Sequence, residues 1–174
     1  MAGMIWKMIS AMPVVSNTSP ISNLAAIGRL DLLREQLGEI FIPPAVKKEL
    51  DRHPSSSARS RVETAISDGW LRVTPLASHV PHVLVAALDA GEAEALMLAT
   101  QLKASLVLLD ETPARIRAQE LGIPHTGILG VLRHAKRGGR IPSLALEIDR
   151  LKNEARFFVS ADLERRLLAS VGEV

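Results

Sequence analysis

Asp110 closes the apolar run Leu106-Val107-Leu108-Leu109 and is followed at once by Glu111-Thr112-Pro113, a sequence suited to starting a helix. A carboxylate at the carboxyl end of a buried parallel strand stands where open α/β sheets build their sites. Eighteen residues upstream lies Glu92, inside Leu88-Asp89-Ala90-Gly91-Glu92-Ala93-Glu94-Ala95-Leu96. An acid at the start of that preceding helix can reach the same crevice. Acids gathered without a basic partner between them imply a hard divalent cation. Two more segments put a polar or acidic group beside a strand end or helix start: Asn17, after Val14-Val15-Ser16, and Glu49, within Pro43-Pro44-Ala45-Val46-Lys47-Lys48-Glu49-Leu50.

Directly after the acids comes a basic stretch. Arg115, Arg117, Arg133, Lys136, Arg137 and Arg140 are interrupted by one acid, Glu120. This order suits a phosphodiester substrate, with acids holding metal and arginines, Arg115 and Arg133 first among them, holding phosphate. The same residues also fit a plain solvated helix face.

The elements that must position these groups follow from periodicity and punctuation. Short apolar runs at Val14–Ser16, Ile40–Ile42, Leu106–Leu109 and Ile123–His125 are expected as strands, with Trp70–Val73 at an edge. Ser19-Pro20 looks like a helix start, with Ser19 as N-cap, and Pro43-Pro44 opens another helix. Further helices are expected from Leu30 to Leu37, near Arg59–Ser67, and over Gly91–Lys103 and Thr112–Leu121. Others follow near Ile128–Lys136, Leu144–Leu151 and Ala161–Ser170, while the region of His79 and His82 is expected as loop. Helices alternating with short apolar strands predict an α/β protein, a three-layer α/β/α sandwich around a short, mainly parallel sheet.

The chain has 174 residues, 47% of them apolar, enough for one domain over 13–174 with a substantial core. Residues 1–12 are expected as an N-terminal extension. With no cysteine, thiolate catalysis and zinc–thiolate sites are excluded, and a reducing cytoplasm is the expected setting. No stretch approaches the roughly 20 apolar residues that a membrane span needs. The histidines lack the i, i+4 pairing of a zinc helix, and neither a phosphate-binding glycine loop nor a Gly-x-Ser-x-Gly elbow is present. Net charge is only +2, so any nucleic-acid contact must rest on local charge.

The segments Val14-Val15-Ser16-Asn17-Thr18-Ser19-Pro20, Ile42 to Leu50, Leu88 to Leu96 and Leu106 to Asp110, in that order, resemble the PIN-domain nucleases, the fold of the VapC-type toxins. The resemblance covers roughly Val14 to Ser170 and implies an endoribonuclease dependent on Mg²⁺ or Mn²⁺. The family's four acidic positions fall on Asn17, Glu49, Glu92 or Glu94, and Asp110, with Thr18 or Ser19 supplying the hydroxyl that follows the first. It further implies an RNA substrate, a small antitoxin partner and a homodimer, for which the apolar residues of Leu24–Leu37 could be the contact. Asn17 departs from the usual first aspartate. It leaves open a second reading, a catalytically weakened RNA-binding or protein-interaction module.

Each acid also has an ordinary explanation. Glu49 could be an exposed helix acid. Asp89 and Glu92 form an Asp-x-x-Glu capping box, Glu94 would favour the helix dipole, and Asp110 could cap the next helix. Glu92 and Glu94 lie roughly 200° apart on a helix, so only one can face a given ion. The family spacing to Asp110 favours Glu92, with Glu94 in reserve.

Overall fold

The computed structural model describes residues 12–173, so the expected extension lies outside the described residues apart from Met12. Five strands alternate with helices: β1 (Val14–Ser16), α1 (Thr18–Ala26), α2 (Asp31–Leu37), β2 (Ile40–Ile42), α3 (Pro44–Leu50), α4 (Ser56–Ser67), β3 (Leu71–Val73) and α5 (His82–Val85) come first. Then follow α6 (Ala90–Leu102), β4 (Leu106–Leu108), α7 (Thr112–Glu120), β5 (His125–Thr126), α8 (Ile128–Arg137), α9 (Leu144–Glu154) and α10 (Ala161–Ala169). The strands form one sheet in the order β3-β2-β1-β4-β5, and every pairing is parallel.

Three layers follow from the two-residue period of a strand, which sends neighbouring side chains to opposite faces. Val14, Leu106 and Leu108 enter a core with α1, α2, α4, α8 and α9. Val15, Val107 and Leu109 enter a second core with Ala95, Leu96, Leu98 and Ala99 of α6 and Ala114 and Ala118 of α7. Both faces of the sheet are covered, so its central strands are apolar apart from the buried Ser16.

The strand order also places the site. From β1 the chain builds outward through β2 to β3, then returns past β1 to add β4 and β5 on the other side. The reversal lies between β1 and β4, and a crevice opens at the carboxyl ends of strands flanking such a point. Asn17 and Asp110 leave these two strands, which are joined at their ends by Asn17 N–H donating to the Leu108 carbonyl at 3.0 Å.

Several sequence expectations shift. The last strand is His125–Thr126, not Ile123–His125: Pro124 has no N–H to give, so the ladder opens with its carbonyl accepting from Val107 N at 2.9 Å. Helix α1 begins at Thr18 with Asn17, not Ser19, at the cap position, and the Asn17 side chain makes no capping bond. Pro20 is accepted because first-turn N–H groups need no helical partner. The segment at His82–Val85, expected as loop, is a short helix.

The surface expected for dimerisation is absent. Leu24, Ile27, Leu30, Leu32, Leu33 and Leu37 are all buried in the protomer's own core. Exposed apolar side chains lie elsewhere, at Val83, Val85, Ile116 and Phe158. Leu33→Ala should therefore lower unfolding free energy by roughly 2–5 kcal/mol, equally at all protein concentrations. Urea unfolding at two concentrations checks this, and a concentration-dependent loss would place Leu33 at an interface instead.

Candidate metal centre

Asn17 is the first residue beyond β1. Its backbone is extended, at φ −77° and ψ 178°, and its side chain is buried with Oδ1 bonded to nothing. Freed from capping α1, that carbonyl oxygen is available to the crevice. The hydroxyls that follow are committed to acids: Thr18 Oγ1 donates to Glu49 Oε2, and Ser19 Oγ donates to Glu111 Oε1. Neither is free for phosphate as expected from the sequence.

Glu49 rides on α3, which packs against α6. A methyl group at Gly91 of α6 would stand 2.8 Å from both Glu49 carboxylate oxygens and 3.1 Å from Asn17 Oδ1. These three oxygens therefore gather over the first turn of α6. Glu92 is the next residue. It completes the capping box, its Oε2 accepting from Asp89 N at 3.2 Å while Glu92 N donates to Asp89 Oδ1 at 2.8 Å. Burial raises its pKa, and the charges of Asp89, Glu111 and Glu49 raise it further. The ordinary capping reading of Glu92 is thus correct, and it is compatible with a place among the acids.

Glu94 has a different occupation. Its Oε2 accepts from Ala45 N at 2.9 Å, capping α3, whose own N-cap is a proline without a side-chain bond. It lies on another face of α6 from Glu92 and lines a separate cavity of about 380 Å³ with Leu76, His79 and Val80. The structure thereby separates the two glutamates that the sequence left as alternatives.

Asp110 divides its oxygens. Oδ1 accepts from Ile128 N at 2.8 Å, capping α8, whereas Oδ2 is buried and bonded to nothing. This close approach needs Gly127, where a side chain would stand 3.0 Å from the Leu109 carbonyl and 2.5 Å from Asp110 Oδ1. Burial pushes the Asp110 carboxyl up to about 6, the bond from Ile128 opposing and the charge of Glu111 adding. Arg115, expected at phosphate, instead braces the strand end: its Nε donates to the Leu109 carbonyl at 2.9 Å, and its charge partly offsets the rise at Asp110. Arg133 on α8 is exposed to solvent.

One acid had been missed. Glu111 accepts from Ser19 through Oε1 and leaves Oε2 buried and unbonded. Its signal was in the sequence, an acidic doublet at a strand end, but its neighbours made it look like helix-starting chemistry.

Asn17 Oδ1, Asp110 Oδ2 and Glu111 Oε2 are thus three buried oxygens without a donor. Each such group costs about 1–3 kcal/mol, and a hard cation is the ligand that answers to oxygens alone. No three His, Asp or Glu side chains among the described residues already stand in a metal-holding arrangement. The Glu49 carboxylate and Asn17 Oδ1 meet over Gly91 instead, and a donor set made only of oxygens fits a hard divalent ion.

The DUF3368 family model, a PIN domain, matches residues 13–173. The chain belongs to the PIN-domain family. No curated protein matches it. Membership agrees with the parallel three-layer fold and gives this PIN domain a nuclease-type architecture, with its polar cluster at the strand ends. No helix among the described residues is long and apolar enough to cross a membrane.

The raised pKa of Asp110 carries a stability consequence for the metal-free PIN domain. The folded protein holds this proton up to about pH 6, above the usual 3.8, so folding is favoured most at acid pH. That contribution declines between those values, and above pH 6 the ionised carboxyl is a constant penalty. A shift of this size corresponds to about 2–3 kcal/mol. Asp110→Asn keeps the oxygen that caps α8 and removes the charge. In chelator it should raise thermal stability at pH 7.5 and leave it unchanged near pH 3.5; destabilisation at pH 7.5 would contradict the burial argument.

Proposed function

We propose that this PIN-domain protein is a metal-dependent endoribonuclease of the VapC type, the toxin half of a toxin–antitoxin pair. The observation that supports the reading is that Asn17 Oδ1, Asp110 Oδ2 and Glu111 Oε2 are buried without donors, on residues that follow the carboxyl ends of β1 and β4 at the switch point of the sheet. Mg²⁺ or Mn²⁺ would be held by Asn17, Asp110 and Glu111 together with Glu49 and Glu92. Glu94 is left to cap α3. When bound, such an ion lowers the pKa of a coordinated water and offsets charge on the phosphate.

The chain's own groups do the positioning. Thr18 holds one oxygen of Glu49 and leaves the other free to turn to the ion, and Ser19 does the same for Glu111. Arg115 fixes the strand end that presents Asp110. Arg133 is exposed and supplies a cation for the substrate backbone. With three Phe, two Trp and no Tyr in the chain, stacking on bases has few partners, so RNA contact leans on phosphate. A small antitoxin would silence the site by placing an Arg or Lys among these carboxylates, where it would take the ion's electrostatic role. We propose a cytoplasmic setting and a homodimer, with the pairing surface outside the Leu24–Leu37 helices.

A second reading has its own observation. Asn17 brings no charge to the first position, and a site short of one anion holds a divalent ion less tightly. In that case the protein is a PIN-fold module that binds RNA or protein without cutting.

Asn17→Asp separates the two. Under the nuclease reading it restores an anionic ligand, tightens Mn²⁺ binding by roughly tenfold or more, and raises cleavage of single-stranded RNA. Wild type inert on every RNA tried, with Asn17→Asp unchanged in both respects, would favour the module. Asp110→Asn should reduce cleavage by roughly a hundredfold or more, while Glu94→Gln should leave the rate nearly intact. Mn²⁺ affinity should also weaken as pH falls through about 6, because the metal-free Asp110 carboxyl is then protonated and must lose that proton to become a ligand. Mn²⁺ affinity unchanged between pH 7.5 and pH 5 would argue against Asp110 as a ligand.

A further inference from the structure

Helix α6 runs Ala-Gly-Glu-Ala-Glu-Ala-Leu through its first two turns, and Gly91 is its one poor helix former there. Glycine at such a position is unfavourable relative to alanine. No positive φ excuses it, since Gly91 is absent from the glycines with left-handed backbone. The reason lies across the helix interface: a methyl group at Gly91 would meet Oε1 and Oε2 of Glu49 at 2.8 Å and Asn17 Oδ1 at 3.1 Å. No real Cβ tolerates the first distance.

We propose that Gly91 is a positioning residue of this site. Its missing side chain is the seat in which the Glu49 carboxylate rests beside the Asn17 carbonyl, and Glu49 is presented to a divalent cation only while that seat is open. The inference rests on the metal-site reading above, which it deepens. Three features make the seat specific. The Thr18 hydroxyl of α1 donates to Glu49 Oε2, so a second helix also fixes the carboxylate that rests against α6. The seat lies at the start of α6, where the positive end of the helix dipole favours a carboxylate. And the atoms a methyl would strike are the mobile ends of side chains. An added Cβ would therefore turn Glu49 out of the site and leave the fold standing.

The test is a two-background comparison of Gly91→Ala, read by Mn²⁺ titration calorimetry and by thermal unfolding in chelator. In the otherwise wild-type protein, Gly91→Ala should weaken Mn²⁺ binding by roughly tenfold and lower the metal-free Tm. In the Glu49→Ala background the same change should leave Mn²⁺ affinity unaltered. There it should also raise the metal-free Tm by up to roughly 2–4 °C, because the helix preference for alanine then opposes only the milder 3.1 Å contact with Asn17 Oδ1. Equal losses of affinity in both backgrounds, or no loss in either, would overturn the proposal. If wild type takes up no Mn²⁺ at all, the metal reading fails by itself. The metal-free Tm values then still decide the seat: a reversal of sign between backgrounds supports it, and the same shift in both refutes it.

Discussion

Negative charge withdrawn from water at the carboxyl ends of β1 and β4 is the constraint that shapes the surrounding structure. Burial first, and neighbouring carboxylates after it, lift Asp110 to a pKa of about 6 and raise Glu92. Like charges at this spacing would push the elements apart if nothing held them. The chain meets this with a consistent arrangement in which each acid receives a donor at one oxygen. Thr18 serves Glu49, Ser19 serves Glu111, Asp89 N serves Glu92, and Ile128 N serves Asp110. The donors fix orientation without consuming the second oxygen, which at Asp110 and Glu111 remains unbonded.

Those donors come from four places, and each depends on local backbone chemistry. The hydroxyls of Thr18 and Ser19 sit in the first turn of α1 because the helix starts directly at the strand end. Ile128 N is free because it opens α8, and Gly127 lets Asp110 come close enough to use it. Asp89 and Glu92 satisfy each other at the head of α6. Fold and site are therefore not separable layers here. Two of the groups that would bind an ion, Glu92 and Asp110, also cap helices, and Asp110 has one oxygen for each task.

Much of this was legible in the residues. The strands at Val14–Ser16 and Ile40–Ile42 and the helix across Gly91–Lys103 could be read because apolar runs and a capping box are local signals. Asn17, Glu49, Glu92 and Asp110 were visible as polar punctuation at element ends. The partners of those groups were not. Ser19 bonding Glu111 spans 92 residues and Glu94 capping α3 spans 49, and no periodicity reports on contacts across such separations. The helices from Leu24 to Leu37 misled for a related reason: amphipathic apolarity gives the amount of surface to be buried, but not whether a sheet or a second protomer covers it. Gly91 was passed over because a glycine in a helix has no chemistry of its own, and its significance lies in the carboxylate that occupies its place.

The parallel pairing of β1 with β4 also has a consequence in time. Antiparallel neighbours can meet as soon as a hairpin is made, but these two strands are separated by α1 through α6, and Asp110 is not held until Ile128 has opened α8. A chain emerging from the ribosome has β1, β2 and their helices long before it has a crevice. During synthesis the protein is thus without its cluster of acids for most of its length. Any ability to bind an ion would arrive late, with the closing strands of the sheet. For the nuclease proposed above, that order of assembly would leave the unfinished chain inactive.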